Sequence, residues 1–395
     1  MEKKTIRDID VFDKKVLVRV DFNVPMEDGV ISDDTRIKEA LPTLNYLLEK
    51  GASLILMSHM GRPDGEFNEK YSLKPVAERL SQLMPQVKVV MANDVVGDDA
   101  TNKAKALNSG EILMLENVRF EKGEEINDKT FAERLATLGD IYVNDAFGTA
   151  HRKHASTYGV AMLKPNAIGL LVEKELNMIS GTISNPKRPM TAILGGAKVK
   201  DKLPIVDSLL KTADSIIIGG GMAFTFLKAQ GYNIGASLCD AEQLELCKNV
   251  LSKAAEIGVE ILLPEDVVIA SSIDDKSGEY VADINIPNDN MGVDIGKKTI
   301  KKFVKRIKKS KTVIWNGPMG VFENDAFSEG TNKVARAVAK CHGTTIVGGG
   351  DSVAAITQMK LDKKISHIST GGGASLKLFE GKILPAVDII ENKIM

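Results

Sequence analysis

The chain has 395 residues, of which 43% are hydrophobic and 27% are charged, and its net charge is −1. This length allows two domains of ordinary size, and the composition is that of a globular protein. The charge balance argues against a general affinity for nucleic acid or membranes. Residues 1–15 lack the apolar core of a signal peptide, and no apolar run reaches the roughly 20 residues of a membrane span.

The cysteines and arginines add two constraints. Cys239, Cys247 and Cys341 are odd in number and lack metal-site spacing, which favours a reduced, cytoplasmic compartment. The chain has only 11 Arg against 41 Lys, and eight of those Arg lie in the first 152 residues. Because Arg binds carboxylate and phosphate through a planar fork, the first half is predicted to hold a compact anion.

The first half alternates predicted strands and helices, which indicates a parallel sheet with helices on both faces. A helix is expected from Ser32 or Asp33 to Gly51, with a kink or restart at Pro42. Further helices are predicted over 73–84, 98–108 and 129–138. The predicted strands are Val16–Val20, Ser53–Met57, Val87–Met91, Ile112–Leu115 and Ile141–Val143.

Polar residues recur where these strands end, which is where open α/β sheets bind ligands. Asp21 and Asn23 follow the first strand; a salt bridge from Arg19 to Asp21 with Asn23 in a turn is the alternative. The residues at the later strand ends are His59, Gly61, Arg62, Glu116, Asn117, Arg119, Asn144, Asp145, His151, Arg152 and His154. The histidines lack a fourth ligand at zinc spacing, so we interpret them as donors in an anion pocket, alongside Arg36 and the other arginines.

A long amphipathic segment, 170–183, is predicted to be the helix that joins two domains, and Asn185-Pro186 ends it. The alternation then restarts. The predicted strands are Thr191–Leu194, Ser215–Ile218, Ile261–Leu263, Thr312–Trp315, Thr344–Val347 and His367–Ser369, with a helix over 241–257. The polar stretch 266–290 is expected to form a hairpin or a long loop.

Five glycine clusters follow strands in this second half, at residues 195–196, 219–221, 317–320, 348–350 and 371–373. Glycine lets a backbone approach phosphate closely, and a helix start supplies N–H donors. We therefore predict a phosphate-bearing nucleotide. Lys198 and Lys202 are expected to share a helix face beside it. Asp351 is either an N-cap or a ligand of Mg²⁺, and Glu323 either binds ribose or is a charged first-turn residue.

Other nucleotide chemistries are less well supported. The Walker A pattern GxxxxGK[ST] is absent. GGGMAF resembles a dinucleotide fingerprint, but its acidic ribose partner would have to be Asp240, which lies in polar sequence rather than at a strand end. An NAD-dependent dehydrogenase and a hinged phosphosugar-binding module remain as alternatives.

No nucleophile with an attached base is evident. A carboxylate acceptor is already ionised at pH 7 and needs no proton removed. An arginine-rich site, a nucleotide site and no base together point to phosphoryl transfer between a nucleotide and a carboxylate, driven by positioning and charge stabilisation.

The chain resembles the phosphoglycerate kinase family along essentially its whole length. Nine motifs stand in the family's order, namely RVDFNVP, SHMGRP, ENVRF, NDAFGTAHRKHAS, LGGAKVKDK, GGGMAFTF, WNGPMGVFE, GGGDS and STGGGAS. The resemblance implies an α/β fold of two Rossmann-like domains, each a parallel sheet flanked by helices. These would be a 3-phosphoglycerate-binding domain (1–169), a hinge helix (170–186), a nucleotide-binding domain (187–375) and a tail returning to the first domain (376–395).

The resemblance also implies an activity and its residues. A cytoplasmic monomer would transfer the acyl phosphate of 1,3-bisphosphoglycerate to MgADP by domain closure, giving 3-phosphoglycerate and MgATP. Substrate would bind at Asp21, Phe22, Asn23, Arg36, His59, Met60, Gly61, Arg62, Arg119 and Arg152. Nucleotide would bind at Gly195, Lys198, Lys202, Gly219, Gly220, Gly292, Asn316, Pro318, Glu323, Gly349, Gly350, Asp351 and Ser352. Arg36, Lys198, Gly349 and Gly372 would be catalytic, and Asp351 would hold Mg²⁺. Lys153, Lys200 and Lys377 depart from the family's usual residues and add charge near the phosphate path.

Overall fold

The computed structural model describes residues 2–393, and the chain divides into two compact units. Unit 1 contains the residues up to Leu176 together with those from Ile383 onward, and unit 2 contains Asn177–Lys382. Among the described residues, no helix is both long enough and apolar enough to cross a bilayer.

Unit 1 is organised around a parallel sheet. Its strands are β1 (Lys15–Arg19), β2 (Met26–Glu27), β3 (Val30–Ile31), β4 (Ser53–Met57), β5 (Val89–Met91), β6 (Ile112–Met114), β7 (Ile141–Asn144) and β8 (Asn166–Ile168). Within the described residues, six of them form one sheet in the order β5-β6-β4-β1-β7-β8, while β2 and β3 form a separate antiparallel pair. β1 lies in the middle because its apolar side chains are buried on both faces.

Helices flank this sheet. They are α1 (Thr35–Glu49), α2 (Lys74–Leu83), α3 (Asp98–Ala106), α4 (Lys129–Ala136) and α5 (Leu170–Leu176). α1 continues through Pro42, so the predicted restart there is wrong. Ile37, Leu44 and Leu47 of α1 are buried at helical spacing, and this packing offsets the hydrogen bond that proline cannot donate.

Unit 2 repeats the plan. Its strands are β9 (Met190–Leu194), β10 (Ser215–Ile218), β11 (Glu260–Leu262), β12 (Val267–Ala270), β13 (Glu279–Val281), β14 (Met291–Ile295), β15 (Thr312–Asn316), β16 (Thr344–Gly348) and β17 (His367–Ile368). In the described part of this unit, six parallel strands are ordered β11-β10-β9-β15-β16-β17. β12 pairs antiparallel with β13 and β14. The hairpin predicted within 266–290 therefore supplies two strands, β12 and β13, of a three-stranded sheet in which β12 is central.

The remaining helices complete the units. Those of unit 2 are α6 (Thr182–Ser184), α7 (Leu203–Leu209), α8 (Met222–Ala229), α9 (Leu244–Ile257), α10 (Lys297–Lys309), α11 (Glu329–Ala339), α12 (Gly350–Gln358) and α13 (Gly373–Phe379), and α14 (Pro385–Asp388) belongs to unit 1. Between α5 and α6, Asn177–Gly181 form a wider π-helical turn. The segment predicted as a tail, 376–395, is divided, since 376–382 belong to unit 2 and the residues from Ile383 onward to unit 1. The two parallel sheets with flanking helices confirm the predicted α/β class.

We expect packing in the unit 2 core to be sensitive to the loss of a few methyl groups. Ile314 is fully buried in β15, between β9 and β16. Ile314→Ala should lower the free energy of unfolding of unit 2 by about 2–5 kcal/mol. Urea unfolding followed by fluorescence of Trp315, the only tryptophan in the sequence, measures this. The same change at Ile257, which is 52% exposed, should cost less than about 1 kcal/mol; equal losses would contradict the packing.

Candidate active site

Arg19, the last residue of β1, is a buried cation that links three segments of unit 1. Its Nε donates to Ser156 Oγ at 2.8 Å, and a terminal nitrogen lies 3.3 Å from His59 Nδ1. The other terminal nitrogen donates to the carbonyl of Val20. No ion pair joins Arg19 to Asp21 in the described part of the chain, so the alternative salt bridge between them is wrong.

The carboxylate of Asp21 pairs instead with α1. One terminal nitrogen of Arg36 lies 2.9 Å from Asp21 Oδ2, and His59 Nδ1 lies 3.9 Å from Oδ1. Burial alone would raise the pKa of Asp21, but the surrounding positive charges outweigh burial and lower that pKa. Burial lowers the pKa of His59 well below its ordinary value, so the ring is neutral at pH 7. Neither group is arranged as a free general base.

Two asparagine side chains hold the turn after β4. Asn23 Oδ1 accepts from the backbone N–H of Gly61 at 3.0 Å. Asn117 accepts from the N–H of Met60 at 3.1 Å and donates to its carbonyl at 2.7 Å. Gly61 has φ +57°, and a Cβ there would lie 2.3 Å from the ring of Tyr71, so glycine is required. Asn117 was not among the predicted substrate residues, although ENVRF carries it.

Arg119 supplies a buried donor that has no acceptor. One terminal nitrogen donates to the Gly61 carbonyl at 2.7 Å, and the other lies 3.0 Å from Glu125 Oε1. The guanidinium is 5% exposed, and its Nε has no partner among the described residues. An unpaired buried N–H is costly, so this atom could donate to an oxygen of a bound molecule.

The other predicted substrate residues differ in whether their side chains could contact a ligand. Arg152 is half-buried, and its charge interacts with that of Arg119. Arg62 is exposed and makes no ion pair with any described residue. The side chains of Phe22 and Met60 belong to the hydrophobic core of unit 1, so only their backbone could contact a ligand.

A buried carboxylate that the sequence did not reveal supports this cluster. Glu124 Oε2 accepts from Ser156 N at 2.9 Å, and Oε1 accepts from Ser156 Oγ at 2.6 Å and lies 3.8 Å from His154 Nδ1. Burial raises the pKa of Glu124 and lowers the pKa of His154 to about 4. His154, predicted as a donor in the anion pocket, therefore packs against Glu124 as a neutral ring. Glu124 lies in the charged run EKGEE, which is typical of an exposed loop.

Unit 2 contains a cavity of about 980 Å³ at the carboxyl edge of its sheet. The predicted nucleotide residues that line it are Gly220, Gly292, Pro318, Glu323 and Asp351. The apolar residues that line it include Phe224, Leu238, Met291, Val293 and Met319. These apolar residues were not predicted, because a hydrophobic side chain after a strand cannot be told from core by sequence. A flat apolar group could be held against this wall.

Two of the glycine-containing turns, at residues 195–196 and 219–221, pack directly on the turn at residues 317–320. A Cβ at Gly195 would lie 2.0 Å from the carbonyl oxygen of Pro318, and one at Gly220 would lie 2.6 Å from Gly196 N. The N–H of Gly196 donates to Pro318 at 3.0 Å, and that of Gly220 donates to Met319 at 2.9 Å. These amides are already satisfied within the protein. Glycine is therefore needed here for close approach of the loops to one another, and the expected approach of these turns to a phosphate stays a prediction.

The corner after β16 retains donors. Gly349 has φ +89°, and α12 starts at the next residue, so the first-turn N–H groups have no acceptor within the helix. Asp351 is exposed in this turn and lines the cavity. Ser352 is buried, and its Oγ accepts from Gly317 N at 2.6 Å. Gly372 similarly precedes α13, with φ +49°.

Lys202 is a half-buried cation beside this corner. It donates to Asn316 Oδ1, while Asn316 Nδ2 donates to the Gly348 carbonyl at 2.9 Å. Burial lowers the pKa of Lys202 from 10.5 to about 8, although the charges of Asp351 and Asp201 act in the opposite direction. The amine is therefore still mostly protonated at pH 7, but it loses its proton at a lower pH than an ordinary lysine.

Lys198 lies on an exposed loop. α7 begins at Leu203, so the expectation that Lys198 and Lys202 share a helix face is wrong. Pro204 is the second residue of α7, and proline favours the first turn of a helix, which explains where this helix begins.

The residues at the cavity suit a metal ion that arrives with its ligand. The described residues contain no group of three or more His, Cys, Asp or Glu side chains that could hold a metal ion. Asp351 makes no ion pair within the described chain and is open to the cavity. Mg²⁺ commonly binds through one carboxylate, several waters and phosphate oxygens, and this donor set fits that arrangement.

The fold and these two sites define a two-unit α/β protein with an arginine-rich cluster in one unit and a glycine-walled cavity in the other. A family model described as phosphoglycerate kinase matches residues 6–382. Phosphoglycerate kinases of Borreliella burgdorferi (strain ZS7) and Finegoldia magna are 51% and 50% identical over 394 and 395 residues, covering at least 99% of this chain and 100% of each relative. The chain belongs to the phosphoglycerate kinase family, whose members are phosphotransferases.

Solved structures agree with this assignment. The structure of phosphoglycerate kinase from Coxiella burnetii matches with a TM-score of 0.89 at 41% identity and covers 98% of both chains. That of phosphoglycerate kinase from Pyrococcus horikoshii matches with a TM-score of 0.79 at 35% identity, again over 98% of both chains.

We expect Lys202 to titrate far below the surface lysines. In protein labelled with ¹³C-lysine, one side-chain resonance should shift with a midpoint near pH 8, because burial favours the neutral amine. Lys202→Arg should remove that resonance. The control, Lys200→Arg, changes an exposed lysine and should leave it in place. A Lys202 midpoint near 10.5 would contradict the burial described above.

Proposed function

We propose that this chain catalyses the glycolytic and gluconeogenic transfer of a phosphoryl group, converting 1,3-bisphosphoglycerate and MgADP reversibly into 3-phosphoglycerate and MgATP. Membership of the phosphoglycerate kinase family supports the reaction. The observation that carries the substrate site is the buried Nε of Arg119, which lacks an acceptor while its neighbours are paired. A carboxylate or phosphate oxygen of the glycerate would satisfy it.

We assign the glycerate to unit 1 and the nucleotide to unit 2. The proposed substrate residues are Asp21, Asn23, Arg36, His59, Gly61, Arg62, Arg119 and Arg152, with Phe22 and Met60 contributing backbone only. The apolar wall of the cavity would hold the base near Gly292, Glu323 would bind ribose, and the start of α12 would donate to phosphates. The remaining predicted nucleotide residues are Gly195, Lys198, Lys202, Gly219, Gly220, Asn316, Pro318, Gly349, Gly350, Asp351 and Ser352.

The chemistry needs no proton removed from the acceptor, because a carboxylate is ionised at pH 7. This agrees with the ion-paired Asp21 of unit 1 and with the lowered pKa of His59, which makes its ring a weak base. Arg36 and Lys198 would neutralise the transferred group, and N–H groups beside Gly349 and Gly372 would donate to its oxygens. Mg²⁺ held through Asp351 would offset charge on the nucleotide phosphates.

Because the two ligands are assigned to different units, transfer would require a movement that brings them together. Binding both ligands would favour the closed arrangement, since only there do both sets of cations act on one phosphoryl group. A monomer in the cytoplasm is the simplest setting for this reaction, and three cysteines without disulfide or metal spacing support a reduced compartment.

Loss of either proposed catalytic cation should abolish most turnover. We expect Arg36→Ala and Lys198→Ala each to lower kcat by roughly 10²-fold or more, because a charge that stabilises the transition state is removed. An assay with 3-phosphoglycerate and MgATP, coupled to consumption of the acyl phosphate, measures this. Lys122→Ala and Arg7→Ala remove exposed cations of the same type and should keep near-normal turnover. Absence of any turnover in the unaltered chain would refute the proposed reaction itself.

Compaction should depend on both ligands. Small-angle X-ray scattering of the full chain should show a smaller radius of gyration with 3-phosphoglycerate and a non-hydrolysable MgATP analogue together than with either alone. The control is Arg119→Gln, which removes the proposed glycerate contact. Adding both ligands to this variant should leave its scattering profile unchanged. Equal compaction with the nucleotide alone would contradict the requirement for both.

A further inference from the structure

The net charge of −1 conceals a strongly basic segment in unit 2. Residues 297–311 contain nine Lys or Arg and no Asp or Glu. Most of this segment is α10, whose buried residues are Thr299, Phe303 and Ile307. At helical spacing, the basic residues occupy the whole opposite arc of the helix. The apolar arc of α10 therefore packs against the rest of unit 2, and the basic arc faces solvent.

Acidic partners neutralise only one flank of α10. Lys302 pairs with Glu265, and Arg306 pairs with Glu260. The exposed cations on the other flank are Lys297, Lys301, Lys305 and Lys308, and none of them makes an ion pair with any residue in 2–393. These four recur at i, i+4, i+8 and i+11, so they lie in one row about 17 Å long with steps of about 6 Å.

The neighbouring helix adds a second row. α11 packs beside α10. Lys333, Arg336 and Lys340 are exposed along one face of α11 at i, i+3 and i+7, and they too lack ion pairs with the described residues. We call the seven side chains the basic surface; they are Lys297, Lys301, Lys305, Lys308, Lys333, Arg336 and Lys340. Two rows of like charges repel each other, and the one carboxylate at helical spacing from them is Glu329, four residues before Lys333 on α11.

The composition of the basic surface discriminates between anionic partners. Helices that bind bilayers combine basic residues with apolar side chains that enter the acyl region. No large hydrophobic side chain is exposed in 297–311 or 329–340, both of which are fully described. The ring of Tyr280, which is 38% exposed, packs against Lys297, with its centroid 5.4 Å from Nζ. A surface dominated by cations repeated at regular steps complements a regular row of phosphates, which is the backbone of a nucleic acid.

We propose that the basic surface binds the phosphate backbone of nucleic acid without reading its sequence. Each lysine that neutralises a phosphate releases a condensed counterion, so binding should weaken steeply with salt. The site lies on unit 2 on α10 and α11, apart from the residues that line the nucleotide cavity. The proposal revises the expectation, drawn from the net charge, that the chain has no general affinity for nucleic acid. Such binding depends on where the positive charges cluster rather than on the total charge of the chain.

The test measures binding of a labelled mixed-sequence DNA duplex of about 20 base pairs to the full chain by fluorescence anisotropy, between about 50 and 200 mM salt. The unaltered chain should bind with a Kd of order 10⁻⁴–10⁻⁶ M. Lys301→Gln with Lys305→Gln should flatten the slope of log K against log salt by about 1.8, which is two phosphates at about 0.9 each. A charge-reversed pair, Lys301→Glu with Lys305→Glu, should abolish binding.

The controls separate binding at the basic surface from binding elsewhere on the chain. Lys122→Gln with Lys129→Gln removes the same net charge from exposed positions in unit 1 and should leave binding and slope unchanged. Saturating ADP should not displace the duplex, and kinase turnover of the α10 variants should be normal. An unchanged slope in the α10 variants, displacement by ADP, or binding to phosphatidylglycerol vesicles without binding to the duplex would each overturn the proposal.

Discussion

Parallel pairing is the constraint on which both units depend. Strands that run in one direction all present their carboxyl ends at one edge, and each following loop must pass that edge before its helix returns. In unit 1 the central strand β1 is flanked by β4 and β7, so residues far apart in the chain converge. Arg19 shows the consequence, because it reaches Ser156 and His59 across this edge.

The two units use that edge in different ways. Unit 1 presents side chains at this edge. Asp21 is paired with Arg36, and the Nε–H of Arg119 has no acceptor among the described residues. Unit 2 places backbone there, and glycine corners pack so closely that a Cβ would clash with a carbonyl oxygen. A site built from side chains suits a small anion with several oxygens, whereas one built from backbone and apolar walls suits a larger ligand with a flat group.

Burial, rather than residue type, decides which ionisable groups are available. His59 and His154 are neutral at pH 7 because burial lowers their pKa values, and burial likewise lowers the pKa of Lys202 to about 8. Burial thus shifts the pKa values of these three groups, an effect that the overall charge of the chain does not reveal.

The sequence by itself determined the fold class, the alternation of strands and helices, and the corners where chemistry could reside. Those features follow from local patterns such as the apolar run of β1 and the glycines after β9, β10 and β16. Tertiary structure alone decided the partners: Asp21 with Arg36 rather than Arg19, buried Glu124 inside a charged run, and the apolar wall at Phe224. It also decided that α7 starts only at Leu203. These depend on which distant segments meet, and that packing is not encoded in the spacing of neighbouring residues.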